Sequence, residues 1–138
     1  MPPEIVGTHT VDWIRLKNDS GEPYKWGDKK IKFVDPNWSK SNVIYRWIKN
    51  STDEIAIVGE TDRTLSARVD DYISAKFGGS AGLINKKAFF EQLKLQKNKD
   101  FLKLEFTKNV SGLNLNNRNE RKIAEGLLIA HYKPYLLL

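Results

Sequence analysis

The chain has 138 residues, a length that suits one domain, and its composition (40% hydrophobic, 11% aromatic) is that of a folding chain rather than a disordered one. Lysine and arginine outnumber aspartate and glutamate by 23 to 17, for a net charge of +6, which favours polyanionic partners. Cysteine is absent, so disulfides, thiolate metal sites and cysteine nucleophiles are excluded. No apolar run approaches the roughly 20 residues of a membrane helix, and the first residues have no secretory pattern, so a cytoplasmic protein is expected.

Residues 1–41 are rich in Trp, Gly, Pro and Asp. Residues 11–16 and 30–34 alternate apolar and polar, as half-buried strands do, and a turn cluster follows the first of them. They predict an N-terminal β-hairpin or small meander, joined to the remaining chain by Asp35-Pro36-Asn37-Trp38-Ser39. Its Trp13, Trp26, Lys29 and Lys30 are candidates for substrate reading or dimer formation.

From residue 42 a second unit is expected, packed with the first as one globule. Residues 43–48 read as a strand with Val43, Tyr45 and Trp47 on one face, and residues 55–58 as its hairpin partner. A helix begins near Asp62 or Thr64, carries the stripe Leu65, Val69, Tyr72, Ile73 and Phe77, and ends at Gly78-Gly79. A further helix is expected over residues 85–97 and a strand over residues 101–107. Asn117 and Glu120 have the spacing of a capping box for a last helix, which Pro134 stops. The predicted class is α+β: a hairpin extension, then β-β-α-α-β-α.

Val43-Ile44-Tyr45, Ile57-Val58-Gly59-Glu60-Thr61, Arg68 on the first helix, and Glu125-Gly126-Leu127-Leu128-Ile129 followed by Lys133-Pro134 stand in the order of a known set of motifs. Together they resemble the GIY-YIG nuclease family, whose fold is a small antiparallel sheet flanked by helices. The match covers roughly residues 42–135. The resemblance implies a metal-dependent DNA endonuclease of the kind found among restriction, phage and mobile-element enzymes. It makes Tyr45, Arg68, Tyr72 and Glu125 catalytic, with Glu125 the ligand of Mg²⁺ or Mn²⁺. A single carboxylate suffices for Mg²⁺, which keeps most of its waters. Tyr45 would lie beside the nucleophilic water, and acting as a base would require nearby positive charge to lower a pKa of about 10. Gly59, Thr61, His131 and Lys133 are candidate substrate contacts, DNA is the implied partner, and a homodimer is a candidate assembly. Two positions depart from the family: its second tyrosine is Ile57 here, and its asparagine after the proline is Leu137. These departures motivate an alternative, a catalytically inactive nucleic-acid-binding module on the same fold. A third reading is a protein-interaction domain using exposed aromatics of residues 1–41.

Overall fold

A computed structural model describes residues 2–31, 34–74 and 101–135. The protein is α+β. A four-stranded antiparallel sheet is built from β3 (Ile14–Arg15), β4 (Val43–Lys49), β5 (Ile55–Thr61) and β6 (Leu102–Thr107), in the order β3-β6-β4-β5. A separate antiparallel pair joins β1 (Glu4–Val6) to β2 (His9–Val11). Two α-helices are described, α1 (Leu65–Ser74) and α2 (Arg118–Tyr132). The helix expected over residues 85–97 and the Gly78-Gly79 stop lie outside the described residues. Among the described residues no helix is long and apolar enough to cross a membrane.

Strand β4 lies between β6 and β5, and every side chain from Val43 to Ile48 is buried. Alternation still decides which layer each one enters. Val43, Tyr45 and Trp47 join Ile57, Leu65, Val69 and Tyr72 in one core, under α1. Ile44 joins Val58, Ala124 and Leu128 in the other, under α2. The two helices therefore cover opposite faces, and β5 is the last strand of the sheet among the described residues. The register Val43↔Thr61, Tyr45↔Gly59 and Trp47↔Ile57 then slips to Ile48↔Ile55, so Ala56 forms a bulge.

The N-terminal region departs from the sequence-based expectation. Residues 11–16 are not one strand. The chain leaves the hairpin at Asp12, whose amide bonds Asn109 O at 3.2 Å, and re-enters the main sheet as β3 against β6. The hairpin turns at Gly7 with a positive φ of 61°. Lys30 and Ile31 form no strand, because Ile31 O accepts from the amides of Val34 and Asp35 in a turn. Lys32 and Phe33 lie outside the described residues. Trp13, Tyr24 and Trp38 are buried, so they belong to the core and the aromatic docking surface expected here is not formed by them.

On the α2 face a charged cluster sits within the sheet. Arg46 and Glu105 are cross-strand partners, and Arg46 Nε donates to Glu105 Oε1 at 2.9 Å. Arg46 also donates two bonds to Glu4, at 3.0 and 2.8 Å. Its guanidinium lies 4.1 Å from the Trp13 ring centroid. Burial works to raise the Glu4 pKa, but hydrogen bonds from Arg46 and Tyr132 outweigh it and hold it below the ordinary glutamate value. A depressed folded-state pKa contributes stability above the unfolded value that is lost as pH falls through the folded one. Urea titrations between about pH 6 and about pH 3 should therefore show a loss of stability that is smaller in Glu4→Gln. An equal loss in both proteins would refute the coupling.

Candidate functional site

The register of β4 and β5 sets the centre of the site. Tyr45 stands directly across from Gly59, and a Cβ built at Gly59 would lie 2.4 Å from the Tyr45 hydroxyl oxygen. Gly59 is therefore required for the phenol to lie flat over β5. Gly59→Ala is expected to cost about 1–3 kcal/mol through overpacking, read by chemical denaturation. A neutral result would show that Tyr45 moves aside freely.

Thr61 then closes the turn into α1, its Oγ1 accepting the Arg63 amide at 3.1 Å. Thr64 Oγ1 accepts the Ala67 amide at 3.2 Å and starts the helix. One turn on, Arg68 Nε donates to the Tyr45 hydroxyl at 2.9 Å. Tyr72 follows Arg68 by four positions, on the same helix face. Its hydroxyl is 2.8 Å from that of Tyr45, with the rings edge to face. Arg68 Nη1 also lies 3.8 Å from Asp71 Oδ2, and Asp71 pairs with Arg63.

Both phenols are about 1% exposed, whereas the Arg68 side chain keeps 18% of its surface. The guanidinium forms the accessible roof of a buried hydroxyl pair. Burial pushes the Tyr45 and Tyr72 pKa values up, and the positive charge of Arg68 does not overcome it. Both phenols therefore stay protonated at neutral pH. Arg68, which would have to supply the charge for Tyr45 to act as a base, lowers the phenol pKa but is outweighed by burial.

Glu125 lies on α2, on the other side of the sheet from Tyr45. It is half-buried, and its charge influences Tyr45 and is influenced by Arg68 and Glu60. The backbone of Glu60, on strand β5, favours its charged form. Burial is the largest influence on Glu125. Lys122, the Glu60 backbone and Arg68 favour its charge, the Glu60 carboxylate opposes it, and the pKa is raised on balance. A poorly hydrated carboxylate facing a second one is a fitting seat for a divalent cation. Glu60 is committed to Arg121 Nε at 2.7 Å and to Lys122. Among the described residues no group of three or more His, Asp or Glu side chains gathers. A cation at Glu125 would thus take most of its ligands from water or substrate, as Mg²⁺ accepts.

The remaining sequence-based candidates lie elsewhere. The Tyr135 amide bonds Ile55 O at 3.2 Å, so the C-terminal end of α2 sits at the start of β5. His131 and Lys133 are therefore at the C-terminal end of α2, toward the start of β5, and take no part in the hydrogen bonds that join Tyr45, Arg68 and Tyr72. Lys133 forms the left-handed cap of that helix, with φ 50°. Ile57 is fully buried against the α1 core, so the second hydroxyl beside Tyr45 comes from Tyr72 on the helix and not from the strand. Leu137 lies outside the described residues. Sequence reasoning missed the role of Arg121, which fixes Glu60 and also donates to Asn42 Oδ1 at 3.2 Å. Its place one turn before Glu125 was the available signal.

No family model, curated protein or solved structure matches the chain.

Proposed function

We propose that this protein is a metal-dependent DNA endonuclease of the GIY-YIG type, of the restriction, phage or mobile-element kind. The observation that carries the reading is the hydrogen-bonded cluster of Arg68, Tyr45 and Tyr72 beside strand β5, with Glu125 of α2 near enough to act on Tyr45 electrostatically. Hydrolysis adds a water oxygen to phosphorus, breaks a P–O bond and returns a proton to the leaving oxygen. Arg68 is held by Tyr45 through Nε, and its guanidinium would meet the phosphoryl oxygens. Tyr45 and Tyr72 stay neutral, so their work is to fix the guanidinium and to hydrogen-bond the attacking water once Arg68 shifts onto substrate. Glu125 would hold Mg²⁺ or Mn²⁺, which when bound supplies Lewis-acid stabilisation and a more acidic water.

The test is nicking of supercoiled plasmid with and without Mg²⁺. The parent should nick only with metal, and Arg68→Ala should lose about 10²–10³-fold in rate, as expected for deleting a donor to developing charge. Tyr45→Phe keeps the ring but strands Arg68 Nε, and should lower the rate while costing about 1–3 kcal/mol of stability. Nicking that survives Arg68→Ala would remove the reading. A second reading, an inactive nucleic-acid-binding module, is favoured by Ile57, which brings no polar group to the site. It requires DNA binding without cleavage under either metal.

A further inference from the structure

We propose that Lys40 and Lys108 form a phosphate-binding track beside the site, holding the nucleic-acid backbone that flanks the scissile phosphate. The proposal rests on the nucleic-acid reading above and adds the surface that binds the strand.

Both lysines lie at the end of the sheet where β4 begins, next to the Tyr45–Gly59 pair. Lys40 is exposed, and its carbonyl accepts the Leu65 amide at 2.9 Å, which places it at the N-terminus of α1, one turn from Arg68. Lys108 follows β6 directly and is also exposed. Its Nζ bonds Ser41 O at 2.7 Å and approaches Asn116 Oδ1 at 3.4 Å. Lys108 thereby bridges the entry to β4 and the loop that starts α2. Among the described residues its acceptors are neutral. Arg121 and Lys122, on the first turns of α2, bring more positive charge to the same end, and Glu60 is the carboxylate that pairs with them. Both described α-helices point their N-termini here, and aligned peptide dipoles add partial positive charge.

The cations are close enough to feel one another. Burial, then Lys40 and Arg121, lower the Lys108 pKa. Like charges gathered at one end of the sheet repel, and a row of phosphates would relieve that repulsion. The far end of the sheet differs. There Lys103 pairs with Asp53, and in the middle of the sheet Arg46 and Arg15 are matched by Glu4 and Glu105.

The experiment is the salt dependence of binding of a fluorescein-labelled 20-base-pair duplex (about two helical turns), followed by anisotropy in EDTA so that no cleavage intervenes. The double variant Lys40→Gln/Lys108→Gln should bind more weakly and flatten the log–log salt slope by about 2, because each phosphate contact contributes close to one unit. Lys25→Gln/Lys133→Gln removes the same charge at the opposite end of the sheet and should leave the slope unchanged. An equal change in both double variants would overturn the track and leave net charge alone. Polyglutamate competing as well as duplex would also overturn it, in favour of an acidic protein partner. The outcomes separate the two proposals. A flattened slope in a protein that never nicks plasmid supports the track and ends the nuclease reading. Metal-dependent nicking with an unmoved slope does the reverse.

Discussion

Glu125→Ala is expected to abolish Mg²⁺-dependent nicking, with a fall of at least about 10³-fold, while the far-ultraviolet circular dichroism stays that of the parent. On the nuclease reading, removing the carboxylate takes away the group that would hold the metal, and the charge stabilisation such an ion would provide is worth several kcal/mol. The fold should tolerate the change. Glu125 is half-buried, its pKa is raised on balance, and α2 is anchored independently by Arg121, Ala124 and Leu128. The Asn117 cap, which accepts the Glu120 amide at 3.1 Å, is also untouched. Glu125→Gln sharpens the test, since it keeps the shape and loses the charge. It should be as inactive as the alanine variant and should lose the parent's response to Mg²⁺ titration. A Glu125→Gln protein that cuts at the parental rate would show that the carboxylate has no part in the reaction. Glu60 would not substitute for it, because Arg121 and Lys122 already neutralise that side chain.

Much of this arrangement was legible in the chain, for identifiable reasons. The faces of β4 follow from strict alternation, so Tyr45 and Trp47 could be assigned to one layer and Ile44 to the other. Leu65, Val69 and Tyr72 repeat at helical spacing, and that stripe fixes the rotation of α1. Arg68 then falls at its border, where it meets Tyr45. The capping residues of α2 were equally local, and Asn117 caps as its spacing with Glu120 predicts.

What was hidden depends on contacts between distant segments. Lys30-Ile31 alternates like a strand start, yet Lys30 Nζ is drawn to Ser66 O at 2.9 Å and to Asp70 of α1. Residues 11–16 mix apolar and polar side chains as a strand does, but Asn109 captures Asp12 and divides them between two sheets. In the site, the protonation of Tyr45 follows from how deeply α1 buries it, which no spacing encodes. Gly59 illustrates the same limit. Its glycine is demanded by a hydroxyl fourteen residues away in sequence, visible only once the cross-strand register is known.

The largest stability effect is expected away from the site, in Glu105→Ala. The Glu105 side chain is fully buried, and it accepts Arg46 Nε at 2.9 Å and Arg15 Nη2 at 3.1 Å. Truncating it leaves Arg46, whose side chain is 4% exposed, in the protein interior with Glu4 as its remaining carboxylate. Breaking one side of a buried pair costs about 3–5 kcal/mol, because the surviving charge stays desolvated. Arg15 should contribute less, since at 37% side-chain exposure it can turn to water. The double variant Arg46→Met/Glu105→Leu separates these causes. It removes both buried charges and keeps volume for Trp13 and Tyr132 to pack against. Glu4 is also 37% exposed and can hydrate once freed. Urea denaturation should therefore place the double variant well above Glu105→Ala and close to the parent. If it falls as low as the single variant, the cluster holds the first strand, the sheet and α2 together through geometry that apolar side chains cannot reproduce. The loss in Glu105→Ala would then reflect lost hydrogen bonds more than a stranded charge.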